Sequence, residues 1–361
     1  MRKYLVYIAI VMLSLTGLAQ ESVVWNVDFN TVLNNREGGD DAYAPDQTFF
    51  FTRITPQIGL SLDNDSHRIM GGVTWYQPMN NECSGYKVLP ALYYEYRGEN
   101  TTAQLGIIPS TIEMPLYLRS DSIHYLEPNI RGLALTHNYS GACTGTITAW
   151  LDWRQMQTTH HREAFDVTLA HKNWFSRNHD DNEGGFYSLA YLRYNHLAKR
   201  KGSPDEDNVN DNLIVNPMLG YRFVAGAHKL DINAGMLLSC DRDRVDMHWH
   251  NPVGFIGNAS WNFKAFTLKE LVYAGERQMP HYDKYGSQLY LGDAYFHNKF
   301  YSRTDLVATL LNTGAVNLSA QLSFHATNDV TAFWQQLMAR VYINGKGKNI
   351  ETPTRKLKAL F

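Results

Sequence analysis

The sequence has few cysteines, little charge and, after its first 20 residues, no long apolar run. Its 361 residues include three cysteines, Cys83, Cys143 and Cys240, which are widely spaced and form no C-x-x-C motif. Disulfide bonds are therefore not the framework of the fold, although the count allows one pair. Only 19% of the residues are charged and 13% are aromatic, which excludes a disordered chain. No later stretch supplies the roughly 18 apolar residues that a membrane-spanning helix needs.

The N-terminus predicts export from the cytoplasm. A basic start, Met1 to Lys3, precedes an apolar run from Tyr4 to Leu15, and small residues lead up to Ala19. This pattern predicts a signal peptide over residues 1–19, cleaved after Ala19. The formal net charge is -2, and loss of the two basic leader residues makes it more negative. A nucleic-acid partner is therefore not expected.

From Val23 onward, apolar and polar residues alternate with a period of two. In residues 316–325, valine, leucine, alanine and phenylalanine alternate with asparagine, serine, glutamine and histidine. Such alternation predicts strands with one apolar face and one polar face. The predicted strands are residues 23–31, 48–63, 67–77, 86–97, 101–108, 128–139, 144–156, 161–175, 185–197, 213–225, 228–240, 253–266, 267–277, 300–312, 315–327 and 330–343.

The connections between these strands alternate in length. Tight turns follow most even-numbered strands, whereas long connections such as 109–127 and 278–299 follow most odd-numbered ones. The exceptions are short connections after the seventh and fifteenth strands and a long one after the eighth. Short periplasmic turns and long external loops are typical of outer-membrane barrels, and a soluble sandwich or propeller fits this pattern poorly. We therefore predict an all-β fold, a closed antiparallel transmembrane β-barrel of about 16 strands over residues 20–343, followed by a basic tail at 344–361.

Several segments carry a resemblance to a known group. They are FFFTRITPQIGLSL, HRIMGGVTWYQPM, SDSIHYLEPNIRG, DWRQMQTTHHREAF and LIVNPMLGY. Together with the signal peptide, they resemble porin-like outer-membrane β-barrel proteins of Gram-negative anaerobes, a largely uncharacterised group. The resemblance implies a barrel in the cell outer membrane, and it assigns no catalytic or substrate-binding residues.

The polar faces of the strands predict the lining of a pore. If the apolar faces contact lipid, arginine and lysine outnumber aspartate and glutamate on the inner faces. Sixteen strands enclose an aqueous channel, and rings of arginine favour anions. The predicted pore-lining residues are Arg53, Arg68, Glu95, Arg97, Arg131, Asp152, Arg154, Arg193, Arg222, Arg303, Asp305 and Arg340.

The connection at 109–127 is a candidate constriction loop. We hypothesise that it folds inward and narrows the pore, with Arg119 facing Asp121 or Glu127 across the opening. The alternative is an outward cap packed by Leu116 and Tyr117. The predicted constriction residues are Arg119, Asp121, Ser122, His124 and Glu127.

Enzymatic sites find little support in the sequence. Ser122 with His124, and the pair at His160 and His161, lack a nucleophile motif such as G-x-S-x-G. His248 and His250 could hold a metal with Asp246, but a chain with 14 histidines produces such spacings by chance. The sequence thus predicts no enzyme, no metal site and no cofactor.

The predicted function is passive diffusion of small hydrophilic solutes through a porin-like channel that favours anions. The alternative is a non-transporting barrel that acts as an adhesin or scaffold through its external loops. The expected partners are outer-membrane lipid and lipopolysaccharide, the barrel assembly machinery, small solutes and further copies of the chain in a homo-oligomer.

Overall fold

The computed structural model describes residues 22–351 except 42–43, 80–84, 111, 178, 181, 203–208 and 246. The predicted signal peptide, Cys83 and residues 352–361 of the predicted tail lie outside the described residues. Cleavage after Ala19 and a separate role for the tail therefore stay predictions.

Sixteen long strands make up most of the described chain. Most of their bounds lie within a few residues of the prediction, but the first strand runs ten residues beyond the predicted end at 31 and the second begins at Ala44, before the predicted 48. They are β1 (Ser22–Asp41), β2 (Ala44–Leu62), β3 (His67–Pro78), β4 (Lys87–Arg97), β5 (Thr101–Pro109), β6 (Asn129–Tyr139), β7 (Thr144–Gln155), β8 (Ala164–Trp174), β9 (Gly185–Leu197), β10 (Asn210–Ala225), β11 (His228–Asp243), β12 (Val253–Phe263), β13 (Phe266–Gly275), β14 (Phe300–Asn312), β15 (Val316–Thr327) and β16 (Thr331–Lys346). The short segments Trp249–His250 and Asn349–Glu351 add to β11 and β16.

The sheet closes on itself into a barrel. Each strand is antiparallel to its neighbours along the chain, and β1 also pairs with β16, from Val24 opposite Lys346 to Glu37 opposite Phe333. Closure leaves no long strand with a free edge, which is what a sheet inside lipid requires. The predicted sixteen-stranded antiparallel barrel is confirmed.

The barrel is apolar outside and polar inside. On β15, Leu322 and Phe324 are 45% and 47% exposed, whereas Ser323 and His325 are fully buried. The same arrangement, with apolar side chains exposed and polar side chains buried, recurs around the wall. The exposed residues are rich in leucine, valine, phenylalanine and tryptophan. This distribution suits a lipid exterior and a filled interior, and it places the protein in the cell outer membrane, as predicted. Within the described ranges, no helix is long and apolar enough to span a bilayer.

Two connections at the outer end fold into the barrel. The first, residues 110–128, contains the helix α1 (Asp121–Leu126), which is capped by the Ser120 hydroxyl. The second, residues 276–299, contains α2 (Tyr282–Tyr285) and two 3-10 turns. The two connections bond to each other through Ser120 N–H to the Leu291 carbonyl (2.7 Å) and Asp293 N–H to the Leu116 carbonyl (2.8 Å). We call residues 112–127 and 277–298 the plug.

The plug fills the outer half of the lumen with an apolar core. Tyr117, Leu118, Leu289 and Phe296 are almost completely buried in one cluster with wall residues of β13, β14 and β16. Polar lumen walls alone could not bury these side chains, and the inward-facing aromatic rings of the wall provide their contacts. The inward-folded plug therefore determines where a functional site can lie.

Candidate functional site at the outer rim and in the lumen

Four of the predicted pore-lining arginines donate hydrogen bonds to the plug. They lie on β2, β7, β9 and β14, so they tie it to the wall at separate points of the circumference. The contacts run from Arg53 to the carbonyl oxygens of His124 (3.2 Å) and Tyr125 (3.3 Å), from Arg154 to those of Ser287 (3.3 Å) and Gln288 (2.9 Å), from Arg193 to that of Leu118, and from Arg303 to the Asp121 carboxylate (3.1 Å). These side chains face inward, and each holds a plug segment.

The other predicted lumen charges are mostly paired with one another. Arg340 binds Asp28, Arg222 binds Asp231, Arg97 binds Glu95, and Arg303 also binds Asp305. Arg68 pairs at 2.5 Å with Asp65 in a periplasmic turn, and this hydrogen bond lowers the pKa of Asp65 to about 2. Asp152 accepts a hydrogen bond from the Arg131 backbone N–H. Acidic partners thus offset much of the basic excess that the sequence predicts.

The assignment of Arg131 to the pore lining is wrong. On β6, Arg131 shares its side of the strand with the exposed Leu133 and Leu135 and lies opposite Ile107. Its guanidinium donates to the Arg154 carbonyl oxygen at the outer rim. The period of two along β6 places its odd-numbered residues on the lipid-facing side, and Arg131 is one of them.

The predicted constriction loop lies inside the barrel, but its expected charge pairing does not form. Arg119 is buried and donates to the backbone carbonyl oxygen of Glu127, while Asp121 binds Arg303 on the wall. The backbone carbonyl is within reach because α1 ends at Leu126, directly before Glu127. Ser122 accepts a 3.5 Å hydrogen bond from Arg36. In place of a field between Arg119 and an acidic group of the loop, Arg119 bonds within the plug, while Asp121 and Ser122 bond to the wall.

His124 of the same loop is half-buried and lies within electrostatic range of two arginines. Burial, together with Arg119 and Arg53, lowers the pKa of His124 to about 3. The imidazole is therefore neutral at physiological pH. Leu116 and Tyr117, the alternative outward cap, also lie inside, where the Tyr117 hydroxyl donates to Asn216 of β10.

A second group of polar residues lies outside the barrel, at the outer rim. Phe165, His196 and Asp211 are direct cross-strand partners on β8, β9 and β10. They share the lipid-facing side with the exposed Val167. Each lies within one or two residues of the outer end of its strand, so the row sits where lipid headgroups meet the wall.

The His196 and Asp211 side chains form a dyad. Nδ1 of His196 lies 2.8 Å from Oδ1 of Asp211, and because a carboxylate only accepts, Nδ1 carries the proton and Nε2 is the free acceptor. The Tyr194 hydroxyl donates to the same oxygen at 2.6 Å. This is the orientation that a carboxylate imposes on a histidine acting as a general base.

Arg244 completes the surroundings of the dyad. Its guanidinium donates to both oxygens of Asp211, at 2.6 and 3.1 Å, and these bonds raise the pKa of Arg244. The rings of Trp153 and Phe165 stack beside His196 with centroids 5.0 Å apart. We call Trp153, Phe165, Tyr194, His196, Asp211 and Arg244 the outer-rim cluster.

No motif in the sequence indicates the outer-rim cluster. His196 and Asp211 lie on different strands, and no short motif joins them, so only the pairing of β9 with β10 reveals the dyad. One feature of the sequence does point to them. His196 and Asp211 both occupy positions whose side chains face lipid, where ionisable residues are rare and are often functional.

No group of three or more potential metal ligands occurs among the residues that the structure describes. Asp246, the third residue considered with His248 and His250, lies outside that part of the chain. Cys143 and Cys240 are free thiols.

The fold and the rim together define a porin-like outer-membrane barrel with a plugged lumen and a polar cluster on its outer wall. A sequence model of the Lipid A 3'-O-deacylase-type family matches residues 19–343, and the chain belongs to that family. The prediction that the protein is not an enzyme is therefore wrong, because the family is named for an enzymatic activity. No curated protein matches the sequence.

Solved structures share the fold. Pseudomonas aeruginosa OpdK, in a crystal structure with vanillate, aligns with a TM-score of 0.52 at 10% identity over 90% of this chain and 99% of its own. The anion-selective porin of Comamonas acidovorans aligns with a TM-score of 0.50 at 11% identity over 89% and 99%. These likenesses confirm a porin fold. They do not support restricting the group to anaerobes.

Proposed function

We propose that the protein is an outer-membrane hydrolase of the lipid A 3'-O-deacylase type, which cleaves an acyl ester of an outer-leaflet lipid at the outer-rim cluster. The observation that carries the proposal is the His196–Asp211 dyad, which faces lipid at headgroup height in a chain of this family. Such a lipid presents its ester linkages near the interface and its acyl chains to the outer wall. The substrate therefore meets the dyad without entering the lumen.

The chemistry follows from the orientation of the dyad. Nε2 of His196 accepts a proton from a water molecule, and the water oxygen bonds to the acyl carbonyl carbon. The ester C–O bond then breaks, and the proton passes from His196 to the sugar oxygen that leaves. Asp211 stabilises the imidazolium that forms between the two steps. The products are a free fatty acid and the deacylated lipid.

The rest of the cluster supports this role. Tyr194 and Arg244 fix both oxygens of Asp211, so the carboxylate stays ionised and oriented. Trp153 and Phe165 provide an apolar surface beside His196 for an acyl chain.

The test is release of fatty acid from lipopolysaccharide by the full-length protein in mixed micelles, followed by mass spectrometry. We expect His196→Gln and Asp211→Asn to lower the rate at least ~100-fold, the usual contribution of a general base. His171→Gln is the matched control. His171 also faces lipid from the outer wall, on β8, but it lies near the periplasmic rim, where it bonds to the Tyr139 hydroxyl. Full activity of His196→Gln, or no release by the wild type, would refute the proposal.

A second candidate is passage of small solutes with a preference for anions. The porin fold and the excess of inward-facing arginine favour it, whereas the plug opposes free flow. Liposome swelling tests passage, and the reversal potential in a salt gradient tests selectivity. A cation preference would contradict the predicted selectivity, and no flux would leave the barrel without a transport role.

The adhesin alternative loses much of its proposed surface, because the connections at 110–128 and 276–299 fold inward. Lipopolysaccharide as a bound partner, the assembly machinery and a homo-oligomer stay predictions.

A further inference from the structure

A cavity of about 350 Å³ lies inside the barrel next to the plug. Plug residues between Glu113 and His124 form one side, and residues of the six strands β9 to β14 form the others. This volume is within the range of small-molecule sites. We infer that the cavity binds a small organic carboxylate with an apolar body, held by the ammonium group of Lys269.

One part of the cavity is apolar. Its side chains come from both the plug and the wall, so plug folding creates the surface. They are Leu116, Tyr117, Leu189, Tyr191, Met218 and Leu271. A ring or alkyl chain of matching size that moves from water onto this surface gains free energy from the hydrophobic effect, so the cavity favours a ligand with an apolar body.

Lys269 supplies the charge. It faces inward on β13, and among the described residues it has no hydrogen-bond or ion-pair partner. Its cross-strand neighbour Asp305 is bound by Arg303 at 2.8 Å instead. A half-buried ammonium without a counter-ion gains most from an anionic ligand.

The remaining acids of the cavity do not compete for Lys269. Asp231 is held by Arg222 at 2.8 Å and by the Tyr187 hydroxyl, and Asp121 is held by Arg303. Glu270 lies on the outward side of β13 with the exposed Leu268, and it accepts a 2.5 Å hydrogen bond from the Thr304 hydroxyl. Glu113 has no partner among the described residues, but its side chain is exposed and therefore hydrated. The geometry thus favours an anion over a cation.

Polar side chains near Lys269 complete the site. Ser260 lies directly opposite Lys269 on β12, and Asn258 lies two residues away and donates to Asn233 at 2.9 Å. These hydroxyl and amide groups are suited to the second oxygen of a carboxylate.

The test is calorimetric titration of the full-length protein in detergent with benzoate, benzamide and benzylamine. We expect saturable one-to-one binding of benzoate, with benzamide and benzylamine at least ~10-fold weaker. Lys269→Met should weaken benzoate binding at least ~10-fold, whereas Lys269→Arg and Glu113→Gln should stay within ~3-fold of the wild type. Heat-modifiable mobility on gels reports whether each variant folds.

Equal binding of the three probes, no benzoate binding, or unchanged binding in a folded Lys269→Met variant would each overturn the inference. The site is independent of ester hydrolysis at the outer rim. Equilibrium binding also measures occupancy of this cavity whether or not solutes cross the barrel.

Discussion

At the scale of single residues, the side of the wall that a residue faces decides what it does. Inward arginines bind carboxylates and plug carbonyls, whereas the outward residues are mostly apolar. Asp166 is the most deeply buried of the inward carboxylates in these ion pairs. It is fully buried and lies 3.0 Å from Arg193 and 3.4 Å from Arg154. Removing one partner leaves a buried charge incompletely compensated, which costs far more than losing an exposed pair.

We expect Arg193→Met to destabilise the barrel by about 3 kcal/mol, because Asp166 and the Leu118 carbonyl both lose a donor. Thermal unfolding in detergent micelles measures the change. The control is Arg131→Met, which removes a partly exposed 3.7 Å contact with Glu127 and one hydrogen bond to the Arg154 carbonyl oxygen. It should cost less, about 1 kcal/mol. Equal effects of the two variants would argue against an anchoring role for Arg193.

At the scale of elements, the plug contains a half-buried, neutral histidine. The pKa of His124 is about 3 in the folded protein and about 6.5 in the unfolded chain. Because the pKa of His124 is lower in the folded protein than in the unfolded chain, protonation favours unfolding. The stability that the neutral imidazole provides is fully present above pH 6.5 and is lost as the pH falls below that value. The limiting slope is about 1.4 kcal/mol per pH unit.

We expect the plug to loosen between pH 6.5 and pH 3, with faster amide exchange in residues 112–127 than in the wall strands. Hydrogen exchange followed by mass spectrometry measures this difference. His124→Gln should remove most of the pH dependence, and the same dependence in that variant would assign it to another group.

The plug also sets the conductance. Deleting residues 112–124 removes most of the first plug segment, including Leu118 and the Asp121 partner of Arg303. We expect a single-channel conductance in planar bilayers several-fold above that of the wild type. Unchanged conductance would contradict the constriction hypothesis.

Alternation predicted the strands well, because a lipid exterior and a polar lumen impose a period of two on every wall residue. It could not predict the plug, since residues 110–128 and 276–299 have no such period and their burial depends on contacts with distant strands. The dyad was also out of reach, because His196 and Asp211 meet only through the register of β9 and β10. The family match, rather than the residue pattern, indicates the ester chemistry.

At the scale of the whole molecule, the barrel is held in lipid by its apolar outer surface. Leu322 lies in the middle of β15 and faces outward, whereas Leu310 faces outward near the periplasmic end of β14. The cost of a charge on this face depends on depth, because the hydrocarbon centre solvates it worst.

We expect Leu322→Arg to destabilise the protein by about 2–4 kcal/mol and Leu310→Arg by about 0–1 kcal/mol. Urea unfolding in phospholipid vesicles measures both. The same cost at the two positions would contradict the depth assigned to Leu322.

The seam between β1 and β16 joins the start of the described chain to its end, with Val24 opposite Lys346. Contacts between such distant residues form slowly, because the whole intervening chain has to be arranged first. Closure is therefore the last step of assembly, and a chain that is cut short before β16 leaves the edge of β1 open to any other strand.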